Sequence, residues 1–153
     1  MDTPLTQSKQ DLALDCLIKA IPMLPRKLIS LNGIAAATGM TPARVEVVLL
    51  LHMAPRTLSE LSEEMNMVSS NTSPIVRSLV ERGYCERSAC AKDHRKVMIS
   101  LTDKGEALVE RIRALAGEQI ERLEKKLGPD GLEELYDCMS RLLKLLASTG
   151  GAT

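Results

Sequence analysis

The chain has 153 residues, 44% of them hydrophobic, and its 20 Lys and Arg balance 20 Asp and Glu to a formal net charge of zero. That is one domain's length, enough for a real core, with no apolar run that approaches a membrane span. Two tyrosines and no Phe or Trp leave leucine, valine and methionine to fill the core and remove the stacking platforms of single-strand nucleic-acid binders. The four cysteines, Cys16, Cys85, Cys90 and Cys138, have neither C-x-x-C spacing nor the density of a secreted disulfide scaffold, so free thiols are expected.

The N-terminus, MDTPLTQSKQ, is polar and lacks a signal-peptide pattern, which points to a cytoplasmic protein. A helix is predicted over residues 7–29, where Leu14, Leu17, Ile21, Leu24 and Leu28 follow the 3-4-3-4 seam of a helix packed along another helix. Pro22 and Pro25 interrupt that seam, so a bent helix or two short ones is expected. Residues 30–40, with Asn32-Gly33 and Gly39, read as a connector. Thr41-Pro42 is an N-cap followed by proline at the first helical position. The helix it starts carries Val45, Val48, Leu49 and Leu51 and should lie buried behind the helices that follow. His52, alone near its end, reads as a hydrogen-bonded structural histidine rather than a metal ligand.

Thr57 with Glu60 three residues on has capping-box spacing and opens a helix with Leu58, Leu61 and Met65 on one face. After a short turn at Asn66-Met67-Val68, a second helix turns Ile75, Val76, Leu79 and Val80 inward and leaves Ser69, Ser70, Asn71, Ser73 and Arg77 outward. A small, polar N-terminal end of this kind suits a DNA major groove. Pro74 admits two readings: the helix starts late, with Ser73 as N-cap, or it is kinked. Gly83 closes it as a residue able to take positive φ. The period then changes to alternation: Val97, Ile99 and Leu101 form the apolar face of a strand whose antiparallel partner is residues 84–89. The basic connection between them, Cys90 to Lys96, is the tip of a two-stranded wing. Thr102 is the N-cap of the next helix.

That helix carries Leu108, Ile112, Leu115, Ile120, Leu123 and Leu127 and is broken at Gly128-Pro129-Asp130-Gly131. The last helix repeats the seam with Leu132, Leu135, Met139, Leu142 and Leu146. Three terminal helices with leucine seams exceed what a small winged domain needs to cover itself, and dimerisation is the economical explanation. Charge is distributed unevenly despite the neutral total. Arg77, Arg82, Arg87, Lys92, Arg95, Lys96 and Lys104 outnumber Glu81, Glu86, Asp93 and Asp103 between residues 66 and 105, whereas residues 106–146 are net acidic. A local basic patch attracts phosphates, and a neutral total implies modest non-specific affinity.

Thr41 to Leu127 resembles the multiple-antibiotic-resistance regulator (MarR) family of transcription factors. The wing carries the likeness: Asp93-His94-Arg95 stands at the family's D-x-R position, and Leu101-Thr102-Asp103-Lys104-Gly105 matches its L-T-x-x-G. The resemblance implies a homodimer on a pseudo-palindromic operator, with Arg95 in a minor groove and Asp93 holding the wing's shape. It also implies a small-molecule effector bound between the dimerisation helices and the winged region. With no aromatic residue available to it, such a pocket is expected to be lined by Leu, Met and Val, favouring an apolar or adaptable ligand. Some hydroperoxide-sensing members use a first-helix cysteine that links to one on the partner chain. That makes Cys16 and Cys138 candidates for redox sensing, although the tyrosines those sensors place near the second helix are absent here.

The expected fold is mainly α with a small two-stranded β-wing: an N-terminal dimerisation helix and connector over residues 1–40, a winged helix-turn-helix over 41–105, and C-terminal dimerisation helices over 106–153, as one integrated domain. The expected DNA-binding set is Ser69, Ser70, Asn71, Ser73, Arg77, Lys92, Arg95 and Lys96, with Lys92 and Lys96 on phosphates. No motif calls for enzyme chemistry, a metal or a cofactor. The function read from the chain is a sequence-specific, effector-responsive repressor of transcription. A winged-helix interaction module without DNA, and a thiol-sensing regulator of the same fold, are its rivals.

Overall fold

The computed structural model describes residues 8–27, 29–90 and 96–149. In chain order the elements are α1 (Lys9–Lys27), α2 (Leu31–Thr38), α3 (Pro42–Met53), β1 (Arg56–Thr57), α4 (Leu58–Glu64), α5 (Ser69–Glu81), β2 (Cys85–Ala89), β3 (Val97–Leu101) and α6 (Asp103–Thr149). They fall into two compact units. A winged unit comprises Ser30–Ala116, and a helical unit is drawn from Met1–Ile29 and Gly117–Thr153.

The winged unit holds the buried core. Ile34, Val45, Val47, Val48, Leu61, Val76, Leu79, Ile99, Val109 and Ile112 are each at most 3% exposed. Complete burial stabilises the folded state by about 1.5–3 kcal/mol per aliphatic side chain. The central helix is α3, which packs on α2, α5 and β3, while α5 also meets α4 and β2. Its start is the expected one: Thr41 accepts from Arg44 N and Pro42 follows at the first helical position.

Residues 30–40 are not a connector. They form α2, capped by Ser30, whose Oγ accepts from Gly33 N at 3.1 Å, and ended by Gly39 at φ 65°. Asn32-Gly33 reads as a turn by composition, but the three alanines that follow have the highest helix propensity, and Ile34 and Ala35 bury against the core. The wing is part of a three-stranded sheet rather than a two-stranded one. The order is β1-β3-β2, antiparallel throughout, with Arg56 opposite Ile99 and Cys85 opposite Leu101. β1 has two residues, too few for an alternating pattern to register in sequence. On β3, Ile99 is 2% exposed but Val97 is 52% exposed, so the expected apolar face stops short of the wing tip.

Arg56 ties this sheet to its helices. Its Nε lies 2.6 Å from Glu64 Oε1, and its Nη1 donates to the carbonyls of Leu50 and Ala54, both at 2.7 Å. His52 takes the structural part expected of it, with Nδ1 2.9 Å from Glu106 Oε2, so the end of α3 meets the first turn of α6.

In the helical unit α1 runs as one element from Lys9 to Lys27, through the positions of Pro22 and Pro25, rather than as two short helices. Each proline deletes one backbone bond and the bonds around it continue the helix. α6 breaks at Gly128, φ 75° and ψ 170°, where the sequence placed the end of the helix. Among the described residues no single helix is long and apolar enough to cross a membrane.

Candidate nucleic-acid interface

α4 and α5 form the helix-turn-helix. The capping box at Thr57 is complete: Thr57 Oγ1 accepts from Glu60 N at 3.3 Å, and Glu60 Oε2 accepts from Thr57 N at 2.7 Å. The Thr57 backbone bond, then its hydroxyl, hold the Glu60 carboxyl below its ordinary pKa. Asn66 carries the turn in the left-handed region at φ 51°, a conformation asparagine tolerates better than most residues.

α5 starts at Ser69, so the late-start reading, with Ser73 as N-cap and Pro74 at the first helical position, is overturned. Its N-cap is Val68, φ −75° and ψ 147°, which makes no side-chain capping bond. Pro74 lies inside the helix and exposed. A proline there supplies no N–H to the Ser70 carbonyl, but one lost bond on a solvent-facing turn is a smaller cost than giving up the turn that seats Thr72. Thr72 is 0% exposed, and its Oγ1 donates to the Val68 carbonyl at 3.3 Å. It continues the inward stripe of Val76 and Leu79 one turn earlier. The spacing 72, 76, 79 contains that signal, which the run of polar residues hides.

Ser69, Ser70, Asn71 and Arg77 are exposed, as read from sequence, and Ser73 is half-buried. Ser73 joins Leu58, Arg87, Val97 and Ile99 around a recess of about 170 Å³. Arg87, on β2, therefore belongs with the recognition helix, although the sequence reading left it out of the contact set. Residue numbers 14 apart carry no hint of this; the packing of β2 against α5 brings them to one recess. An uncapped helix start presents free N–H groups and the positive end of the helix dipole. Exposed small polar side chains lie on it, and Arg77 and Arg87 are exposed without an ion pair among the described residues.

The other cations divide. Lys96 is exposed at the foot of β3 and borders a recess of about 460 Å³ with Thr57, Ser59, Glu60 and Glu63. Its charge helps lower the Glu60 pKa after the Thr57 bonds, so part of it is spent on α4. Arg82 and Lys104 are engaged with Tyr84 and neighbouring carbonyls. Cys90 N donates to the Lys96 carbonyl at 2.9 Å at the wing's described end. Lys92, Asp93 and Arg95, the expected tip contacts, lie outside the described residues.

All four cysteines are free thiols. Cys16 and Cys138 are exposed, Cys90 is half-buried, and Cys85 is buried, where desolvation pushes its thiol up to about 11. The helical unit holds an apolar groove of about 560 Å³ lined by Ile120, Pro129, Leu132, Leu135, Tyr136 and Met139, with Glu124 and Glu133 also on its lining.

Residues 40–97, the segment from the end of α2 to the start of β3, match the family model described as MarR family. The HTH-type transcriptional regulator YkoM of Bacillus subtilis is 30% identical over 98 residues, 63% of this chain and 64% of YkoM. The chain thus spans a little under two thirds of that relative. The organic hydroperoxide resistance transcriptional regulator of the same organism is 29% identical over 105 residues, 69% of this chain and 70% of the relative. Among solved structures, the transcriptional repressor CouR bound to a 23-mer DNA duplex superposes with a TM-score of 0.66 at 26% identity, covering 92% of this chain and 99% of CouR. By its winged helix-turn-helix and by these matches, residues 40–97 form a MarR family domain, and the chain is similar to MarR-type transcriptional regulators.

Proposed function

We propose that the chain is a homodimeric, sequence-specific binder of double-stranded DNA that represses transcription in the cytoplasm and is released by a small apolar effector. The observation that carries the reading is the uncapped, exposed N-terminal half of α5 with Arg77 and Arg87 beside it. Serine and asparagine reach base edges and phosphates from such a helix, and arginine supplies charge-assisted bonds. Lys96, with Lys92 and Arg95 on the wing tip and Asp93 supporting it, extends the contact along the DNA. CouR, of the same fold, is bound to a DNA duplex in its solved structure.

A second chain is supported by apolar surface that one chain leaves uncovered. Leu142, Leu143, Leu145 and Leu146 are 42–65% exposed, as are Leu12, Leu14 and Ile18 at 49–60%. Large apolar side chains left exposed in this number support an interaction face. Two copies place two α5 helices to read half-sites about 34–36 Å apart, so a ligand that binds the two dimer geometries unequally shifts DNA affinity.

The test is fluorescence anisotropy with duplex from upstream of the chain's own gene and with a scrambled duplex, at two salt concentrations. Selective binding that weakens with salt is expected. Replacing Arg77 or Arg95 with alanine should cost on the order of 1–3 kcal/mol. Equal, weak binding to every duplex tried, with alanine variants unchanged, would refute the reading in favour of a protein-interaction module. The exposed thiols of Cys16 and Cys138, with a relative named for organic hydroperoxide resistance, support a second reading in which oxidation releases DNA. Retained binding after peroxide treatment of the parent would sink it, and a loss that Cys16→Ser prevents would support it.

A further inference from the structure

The chain turns from α5 into β2 at Arg82-Gly83-Tyr84 and from β3 into α6 at Thr102-Asp103-Lys104, and these two turns are bonded to each other. Thr102 N donates to the Tyr84 carbonyl at 3.1 Å, Thr102 Oγ1 to the Gly83 carbonyl at 2.6 Å, and Lys104 Nζ to the Arg82 carbonyl at 2.8 Å. At Gly105 a Cβ would lie 2.2 Å from the Tyr84 carbonyl oxygen, so the first turn of α6 is pressed onto the same peptide.

None of those bonds uses the Tyr84 side chain. Its ring instead gathers two cations: the Arg82 guanidinium carbon is 5.6 Å from the centroid and the Lys104 ammonium 4.6 Å. Neither cation has an ion pair among the described residues. The negative face of an aromatic ring attracts each of these cations. Arg82 also reaches the Gly39 carbonyl and Met40 Sδ, each at 3.4 Å. The ring thus connects the C-cap of α5, the turn between α2 and α3, and the first turn of α6, at the root of both wing strands.

We propose that Tyr84 is a positioning residue that sets the β2–β3 wing against the recognition helix α5 by holding Arg82 and Lys104 on its ring. The consequence for DNA rests on the reading above: α5 and the wing grip one duplex together only at a fixed angle. Without the ring the bonds from Thr102 and Lys104 to the Arg82, Gly83 and Tyr84 carbonyls persist, but Arg82 and Lys104 lose the surface they share, and Arg87 on β2 no longer keeps a fixed place beside Ser73 of α5.

Tyr84→Leu removes the ring and Tyr84→Phe keeps it. Amide hydrogen exchange on the DNA-free proteins is the first measurement. Tyr84→Leu should exchange the β2 and β3 amides about tenfold faster, the factor two exposed cation–ring contacts are worth, with α3 unchanged. Tyr84→Phe should match the parent. Unchanged exchange in β2 and β3, or uniform acceleration through the winged unit, overturns the proposal. The second measurement is a DNA-binding cycle. The loss caused by Arg87→Ala in the parent should shrink toward none in Tyr84→Leu, while that of Arg77→Ala, on α5, persists. Additive losses for Arg87→Ala overturn the proposal. A parent that binds no duplex refutes the DNA reading, and the exchange result then decides the role of Tyr84 by itself.

Discussion

Pro74→Ala should make the protein more stable. Pro74 is the sixth residue of α5, exposed, inside a helix that continues to Glu81. Alanine there restores an N–H for the Ser70 carbonyl and removes the clash of the pyrrolidine ring with it. The full propensity difference in a helix interior is about 3 kcal/mol. Two effects reduce it here: the Ser70 carbonyl is on an exposed turn, where water partly satisfies it, and alanine frees the unfolded chain, which costs up to about 1 kcal/mol. A gain of about 1–2 kcal/mol remains, and for a chain of this size that raises Tm by roughly 2–4 °C per kcal/mol. The assay is urea unfolding of parent and variant at one protein concentration, since the proposed dimer would make stability concentration-dependent. The midpoint should rise with the slope unchanged. A midpoint that stays or falls would show that the proline is accommodated without cost, and the account of α5 given above would be wrong.

Glu60 supplies a pH dependence. Its folded pKa lies below the ordinary 4.5 because it accepts from Thr57, so its contribution is present above that value and is lost as pH falls through the folded pKa; Glu60→Gln should flatten the acid limb of the stability profile. Cys85 works at the other end. Its thiol rises from 9.0 to about 11 on burial, so its contribution is full below pH 9.0 and disappears as pH passes about 11. Iodoacetamide at pH 8 should modify Cys16 and Cys138, both exposed, and spare Cys85 until denaturant is added, as peptide mass spectrometry would read; early labelling of Cys85 would contradict its burial. Gly105→Ala should destabilise by about 1–3 kcal/mol, the usual cost of overpacking, because the added Cβ meets the Tyr84 carbonyl oxygen at 2.2 Å; a thermal melt identical to the parent's would refute that contact.

What the sequence determined by itself is local. Caps and breakers act over three or four residues, so Thr41-Pro42, the Thr57–Glu60 box, Gly83 and Gly128 were all legible as starts and stops. The outward set Ser69, Ser70, Asn71 and Arg77 was legible too, because a helix of known period leaves only one face for a polar run. Propensity misled where local signals competed. Asn32-Gly33 outweighed the alanines of α2, and Pro74 argued for a shorter α5, yet packing of Ile34 and Thr72 into the core decided both.

Only the tertiary structure decided what depends on pairing. The two-residue β1 exists because β3 offers it an edge, and Arg87 shares a recess with Ser73 because β2 packs against α5. Arg82, Lys104 and Lys96 read from sequence as equal members of a basic patch. In the fold the first two are held on Tyr84 and the third borders the carboxylates of α4, leaving Arg77 and Arg87 as the exposed cations without an ion pair among the described residues of α5 and β2. Charge counted along a chain has no direction; a folded backbone gives each side chain one, and that direction separates a group that holds the protein together from one that is free to meet a phosphate.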